Sequence, residues 1–234
     1  GVSYEFAQDI IEKVSKEYTL SKEHQYIFAG LPSETEHNMS QLYIDSGTVV
    51  KDKQDREAYL LKQNKDKSIG FIDLEKVNET SDKEHYLICS YKDPDKLGET
   101  YQHKALKYFD LVAGIFATKI EQLFKNGYQN VYLVTDHGFV LTGILDNSDK
   151  IEVDFKGNVK ISERFIRSEN KQNIDTNLLI EKEVVYNNFN YSYFAKRLGP
   201  FKSTGVYGFS HGGLSPQETI IPFLKWSNDN NAQD

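Results

Sequence analysis

Apolar positions along the chain follow two spacings, which predict a succession of helices and strands. Between Tyr4 and about Lys16 they recur every three or four residues, as on one face of a helix. The same spacing from Lys104 to Lys125 predicts a helix of about six turns, ended by Asn126-Gly127. Short continuous apolar runs predict strands at residues 26–29, 85–91, 131–134 and 219–226.

The order of these elements predicts the fold class. A strand at 85–91, the long helix and a strand at 131–134 indicate a βαβ unit with parallel strands. We therefore expect an α/β fold with a mostly parallel central sheet flanked by helices. A polar insertion around 45–84 and an aromatic loop region around 186–207 are expected outside this core. Residues 1–226 are expected to form a single domain, and residues 227–234 a flexible tail.

Composition narrows the class of protein. The 234 residues are 38% hydrophobic and 27% charged, as in globular proteins. The net charge of -7 argues against a broad positively charged surface that binds nucleic acid. No run of eighteen apolar residues occurs, so no membrane contact is expected. The single cysteine, Cys89, cannot form an internal disulfide, which favours a cytoplasmic location.

The clearest candidate chemistry follows the strand at 131–134, where Asp136 and His137 stand side by side. Ligands of open α/β sheets bind at the carboxyl ends of strands. A carboxylate and an imidazole there suit a divalent metal such as zinc. The alternative, which the dipeptide leaves open, is that Asp136 caps a turn and His137 bonds to the backbone.

Other candidate residues lie at predicted strand ends or turns. Asp95 follows the strand at 85–91, and Glu99 comes four residues later. His211 stands in a Ser-His-Gly-Gly turn, where glycines allow close backbone approach. Thr35 lies near a predicted helix start and is the candidate nucleophile. Each has an ordinary alternative: solvated turn carboxylates, a hydrogen-bonded histidine and a helix cap.

Other features exclude chemistries or leave them open. The chain has no Gly-x-Ser-x-Gly elbow and no phosphate-binding loop ending in Lys-Ser/Thr, which argues against a serine hydrolase of that type and a P-loop enzyme. Lys160, Arg164 and Arg167 lie on one predicted strand. They could bind substrate phosphates or form a solvated basic edge.

Four segments together resemble the PglZ domain of the alkaline phosphatase superfamily. The most specific is His-Gly-Gly-Leu-Ser-Pro-Gln-Glu at 211–218, followed by an apolar strand with proline. Thr-Asp-His-Gly-Phe at 135–139 is similar to the superfamily's Asp-His motif. Leu-Pro-Ser-Glu-Thr at 31–35 resembles its nucleophile turn, and Pro-Asp-Lys-Leu-Gly at 94–98 its metal-binding turn.

The resemblance implies a site with two divalent metal ions, zinc or alternatively manganese. Thr35, Asp136 and His137 would share one metal, and Asp95 and His211 the other. Glu99 stands where related phosphodiesterases have histidine, and it could still be a ligand. Thr35 would attack phosphorus, with Arg164 and Arg167 as substrate-binding residues.

The implied function is a metal-dependent phosphodiesterase or nuclease-like hydrolase in bacterial anti-phage defence of the BREX type. Its partners would be a phosphodiester substrate, such as a nucleic acid or nucleotide, and other defence proteins. The alternative is a catalytically weak PglZ-like scaffold that binds defence or signalling partners. The superfamily takes a further aspartate from its first strand, and we expect that strand to be missing before Gly1.

Overall fold

The computed structural model describes residues 2–23, 25–41, 52–78, 83–141, 146–202 and 208–228. Its helices are α1 (Val2–Lys13), α2 (Thr35–Gln41), α3 (Lys53–Gln63), α4 (Asp93–Tyr101), α5 (Leu106–Lys125) and α6 (Pro216–Thr219). Its strands are β1 (Thr19–Leu20), β2 (Tyr26–Phe28), β3 (Ile69–Asp73), β4 (Tyr86–Ser90), β5 (Asn130–Val134), β6 (Val140–Leu141), β7 (Val159–Ile161), β8 (Phe165–Ser168), β9 (Leu179–Tyr186), β10 (Phe189–Ala195), β11 (Phe209–Ser210) and β12 (Ile220–Ser227). The two long predicted helices are confirmed as α1 and α5.

The main core lies between the strand β12 and the helices α1 and α5. β12 pairs antiparallel with β1, β2 and β5. Leu224 and Trp226 of β12 are buried against Ile10 of α1 and Ala113 of α5. The apolar stripes of both helices therefore face one sheet, as the helical spacing predicted.

A second sheet, with its own core, has the strand order β7-β8-β10-β9 and is entirely antiparallel. Ile166 and Tyr193 are fully buried in it. The predicted aromatic loop around 186–207 is therefore wrong over β10, whose aromatic residues fill this core. The mixed sequence explains the error, because a strand rich in tyrosine and polar residues reads like a loop until its partners are known. Residues 203–207 lie outside the described residues.

The prediction of a mostly parallel central sheet is wrong. In the part of the chain that the structure describes, only β3 and β4 pair parallel, and the other pairs are antiparallel. β5, predicted to be a parallel neighbour of β4, pairs with β12 instead. An apolar run predicts a strand but not its neighbour, and here the distant C-terminal strand returns beside β5.

The predicted polar insertion is also more ordered than expected. It includes α3 and β3, and β3 pairs with β4 over five residues. The parts of this insertion at 45–51 and 79–82, and the tail at 229–234, lie outside the described residues. None of the helices in the described ranges has both the length and the apolar character that a bilayer crossing needs.

Candidate functional site

Five of the predicted site residues meet where separate elements begin or end. Thr35 is the first residue of α2, and Asp95 lies in the first turn of α4, directly after β4. Asp136 and His137 follow β5. His211 follows β11, whose pairing with β6 brings it beside His137. The five therefore come from four well-separated stretches of the chain.

His137 lies at the centre of this cluster. Its side chain is buried, and its Nε2 lies 3.1 Å from the Thr35 hydroxyl oxygen. Its Nδ1 lies 3.0 Å from the Gly138 carbonyl oxygen. A carbonyl oxygen only accepts, so Nδ1 carries the proton and donates. Nε2, on the other side of the ring, faces the Thr35 hydroxyl.

His211 is held in the same manner. Its ring stacks on that of His137, with centroids 3.9 Å apart and planes 10° apart. Its Nδ1 lies 3.1 Å from the Ser33 carbonyl oxygen and therefore donates to it. Burial, followed by the charge of His137, lowers the pKa of His211. Each of the two stacked rings thus donates its Nδ1–H to a backbone carbonyl.

Two carboxylates approach the same ring nitrogen. Asp136 Oδ2 lies 3.7 Å from His137 Nε2, and Asp95 Oδ2 lies 3.9 Å from it. Asp95 is 45% exposed and Asp136 17% exposed in their side chains, so the site opens to solvent on the Asp95 side. In α4 a Cβ at Gly98 would lie 2.2 Å from the Phe209 ring, so glycine permits the approach of α4 to β11.

The donors fit a divalent metal by their chemistry. Carboxylate oxygens and imidazole nitrogens are zinc ligands, and metal-binding histidines usually donate their second ring N–H to a carbonyl or carboxylate, as both rings do here. Within the described residues, however, no group of three or more His, Cys, Asp or Glu side chains is placed closely enough to hold a metal ion as it stands.

Glu99 lies one turn after Asp95 on α4, with an exposed side chain. The contacts that join the cluster do not include it. Its role as a ligand stays a prediction that would require its side chain to turn toward Asp95.

The two predicted substrate-binding arginines are buried and pair with protein carboxylates. Arg164 Nε and Nη2 donate to the two Glu218 oxygens, at 3.0 and 3.2 Å. Arg167, on β8, is 1% exposed in its side chain, and its Nη2 lies 2.5 Å from Glu34 Oε1. With this geometry they position neighbouring segments of the site, and contact with a substrate phosphate stays a prediction.

Glu218 is a residue that the sequence reasoning missed. It is fully buried, and besides Arg164 it accepts from the Gly213 N–H and from the Ser215 hydroxyl, at 2.8 and 2.7 Å. A Cβ at Gly213 would lie 2.6 Å from its Oε2, which explains the glycine. It therefore holds the turn after His211. The Ser-Pro-Gln-Glu spacing of a capping box was the signal for it.

Two further polar contacts hold the cluster together. The buried Ser33 hydroxyl accepts from the Gly212 N–H and donates to the Gly213 carbonyl, both at 3.1 Å. The Asn38 side-chain amide donates to the Asp136 carbonyl at 2.6 Å. These contacts join the segment around Thr35 to the His211 turn and to the segment after β5.

Comparison with known proteins then gives the family. A family model described as the BREX system PglZ alkaline phosphatase-like domain matches residues 93–226, more than half of the chain. The chain belongs to the PglZ family. This PglZ match includes Asp95, Asp136, His137 and His211, whereas Thr35 lies before it. Comparison with curated proteins yields no match.

Family membership confirms the resemblance seen in the sequence. PglZ is an alkaline phosphatase-like domain of BREX systems, which indicates a phosphatase-like hydrolase in defence. Members of the alkaline phosphatase-like superfamily generally use divalent metals.

Proposed function

We propose that this PglZ chain is a metal-dependent hydrolase of phosphodiesters that uses Thr35 as its nucleophile. The observation that carries the proposal is the convergence of Thr35 with two histidines and two aspartates. The hydroxyl oxygen of Thr35 lies 3.1 Å from His137 Nε2, and His211 stacks on that ring. Ordinary helix capping by Thr35 would not require this convergence.

Asp95, Asp136, His137 and His211 would hold the metal, zinc or manganese. Bound there, divalent metal would lower the pKa of a coordinated hydroxyl and stabilise negative charge on phosphoryl oxygens. The chain's own residues orient the reacting group. His137 keeps its Nε2 toward the Thr35 hydroxyl because its Nδ1–H is held by the Gly138 carbonyl. Asn38 ties α2 to the segment after β5, which keeps Thr35 beside Asp136.

In the proposed reaction, the Thr35 oxygen forms a bond to phosphorus while the ester bond to the leaving alcohol breaks. The hydroxyl proton of Thr35 passes to solvent water, and the departing alkoxide takes up one proton from solvent, so that no net proton is gained or lost in this step. Water then cleaves the phospho-threonine, which releases the phosphate monoester and restores the hydroxyl. A nucleotide or nucleic acid would be such a diester, and we place this activity in the cytoplasm, since Cys89 is the single cysteine.

The test uses bis-p-nitrophenyl phosphate with added zinc or manganese. Thr35→Val should lower kcat at least about a hundredfold, because it removes the group that forms the covalent bond. Thr176→Val, at an exposed threonine in the turn before β9, is the matched control and should keep full activity. Equal rates for Thr35→Val and the unchanged chain would remove Thr35 from the mechanism.

A second candidate is a scaffold that binds defence or signalling proteins with little catalysis of its own. Among the described residues, no metal-binding group is assembled as it stands, and this observation favours it. Elemental analysis after dialysis against zinc or manganese separates the two candidates. Bound metal that Asp136→Asn reduces supports the hydrolase, whereas no bound metal and no diester cleavage supports the scaffold.

A further inference from the structure

An exposed aromatic surface lies where α4 ends and α5 begins. Tyr101 is the last residue of α4 and Tyr108 lies in the first turn of α5. Their ring centroids are 4.8 Å apart, with planes 35° apart. The two residues are 42% and 38% exposed, and Leu111, three residues after Tyr108, is 65% exposed. We call these three side chains the Tyr101–Tyr108 platform. Exposed apolar side chains that lie together are a feature of ligand and partner sites.

Two lysines border the platform. Lys107 lies one helical turn before Leu111 on α5, and Lys104 lies in the 3₁₀ turn that leads into this helix. Both lysines are exposed, and in the described part of the chain neither forms an ion pair. The carboxylate of Asp110 is already paired with Lys13, at 2.8 Å. The unpaired charge beside the platform is therefore positive, which favours an anionic ligand.

The platform is tied to the candidate site at two points. Tyr101 lies six residues after Asp95 on α4, about 9 Å along the helix axis, and the site opens to solvent on the Asp95 side. Gln102, which directly follows Tyr101, accepts from the Phe209 N–H through its side-chain oxygen at 2.7 Å. Phe209 lies on β11, directly before the His211 turn. A chain molecule on the platform can therefore extend along α4 to the open side of the site.

A single strand of nucleic acid matches both the rings and the charge of this surface. Its bases stack on tyrosine rings without regard to sequence, and its phosphates pair with lysine. An acidic peptide would pair with the lysines but leave the tyrosine rings uncovered. Glu99 does not oppose an anion on the platform, because it lies two residues before Tyr101 on α4 and residues two apart on a helix do not face each other.

We propose that the Tyr101–Tyr108 platform, together with Lys104 and Lys107, binds single-stranded nucleic acid by base stacking and phosphate pairing. Bases lie on the two rings, and the backbone of the strand continues toward Asp95. The binding itself requires neither Thr35 nor a metal. That the bound strand is also the diester that is cleaved rests on the proposed hydrolase function.

The test measures binding by the full chain in EDTA, with a fluorescein-labelled thymidine decanucleotide as the probe. Tyr101→Ala and Tyr108→Ala should each raise the Kd from fluorescence anisotropy at least about fivefold, because each removes a stacking surface. Tyr4→Ala is the matched control, since Tyr4 is 51% exposed and stacks on Tyr26. This control should leave the Kd unchanged. Circular dichroism verifies that the variants fold.

The salt dependence of binding tests the two lysines. Lys104→Gln with Lys107→Gln should reduce the slope of log Kd against log salt concentration by about 1.4, because each phosphate contact on a single strand contributes about 0.7. Lys62→Gln with Lys65→Gln replaces two exposed lysines with the same spacing near the end of α3, and it should keep the slope. The tyrosine variants should also keep it, because they remove no charge.

An unchanged Kd in both tyrosine variants would overturn the proposal, and so would an unchanged slope in the Lys104/Lys107 variant. Equal competition by a ten-residue polyglutamate peptide would also overturn it, since an acidic protein segment would then be the partner. The absence of metal in this assay separates the two proposals. Platform-dependent binding by a chain that fails to cleave bis-p-nitrophenyl phosphate with added metal would support the platform and contradict only the hydrolase.

Discussion

Two buried arginine–glutamate pairs lie beside the candidate site, and they differ in how completely their polar atoms are paired. Glu218 accepts from Arg164, from backbone N–H groups and from the Ser215 hydroxyl, and Arg164 also reaches the Gly199 carbonyl. In the Arg167–Glu34 pair, the 2.5 Å contact lacks the geometry of a hydrogen bond. Arg167 Nε and Nη2 and Glu34 Oε1 have no hydrogen-bond partner among the described residues.

Aromatic rings compensate for part of this difference. The Arg167 guanidinium lies over Tyr186, 4.4 Å from the ring centroid, and 5.2 Å from that of Phe165. Nearby, burial and, to a smaller extent, the charge of Arg167 lower the pKa of His37 to about 4. The Arg164 pair therefore holds a turn through directed bonds, whereas the Arg167 pair packs between sheet and helix. Both pairs position parts of the site, the first the His211 turn and the second the start of α2.

The largest expected effect is the removal of Glu218. Glu218→Ala leaves Arg164 buried without its partner and frees the donors of the glycine turn. We expect the free energy of unfolding to fall by about 3–5 kcal/mol. Urea denaturation of both chains measures the change. A loss below about 1 kcal/mol would show that Glu218 does not hold this turn.

Replacing both members of each pair sharpens the comparison. Glu34→Gln with Arg167→Met should change the free energy of unfolding by less than about 1.5 kcal/mol, because few directed bonds are lost and an apolar chain packs well there. Glu218→Gln with Arg164→Met should lower the free energy of unfolding by at least twice that amount, because Glu218 accepts hydrogen bonds from backbone N–H groups. Equal losses in urea denaturation would contradict the distinction between the pairs.

The pH dependence of stability tests the Arg164 pair alone. Burial by itself would raise the pKa of Glu218, but hydrogen bonds and charge from Arg164, aided by Ser215 and Gly213, lower it overall. Its carboxylate therefore stabilises the fold above the unfolded-state pKa, and that stabilisation is lost as pH falls through the lower folded-state pKa. Between pH 7 and pH 3, the midpoint temperature of thermal unfolding should fall less steeply for Glu218→Gln than for the unchanged chain. Parallel profiles would contradict this linkage.

The smallest effect is expected at an exposed ion pair of the same region. Lys202 Nζ lies 3.3 Å from Glu163 Oε1, and both side chains are partly exposed. Lys202→Ala should change the free energy of unfolding by at most about 1 kcal/mol, because solvent screens exposed pairs. Urea denaturation measures this loss, which serves as the reference value for the buried pairs. A loss as large as that of Glu218→Ala would show that burial does not make the buried pairs more important for stability than the exposed pair.

The local sequence pattern was sufficient to predict several helices and most of the candidate site residues. The helical spacing located α1 and α5, and the residues at strand ends included Asp95, Asp136, His137 and His211, which the fold brings together. Short motifs whose residue types suit a particular chemistry could be interpreted from neighbouring residues alone. The Asp-His pair after a strand is an example. The capping-box spacing of Ser215 and Glu218 is equally local.

The tertiary structure decided what depends on distant partners. The apolar run of β5 is equally compatible with a parallel neighbour and with β12, and only the return of residues 220–227 makes the pairing antiparallel. Arg164 and Arg167 look alike as charges on a strand, but burial against Glu218 and Glu34 sets their surroundings. Sequence determined which elements and ligand types are present. Long-range packing determined their neighbours, because strand partners and buried charge pairs are set by segments far apart in the chain.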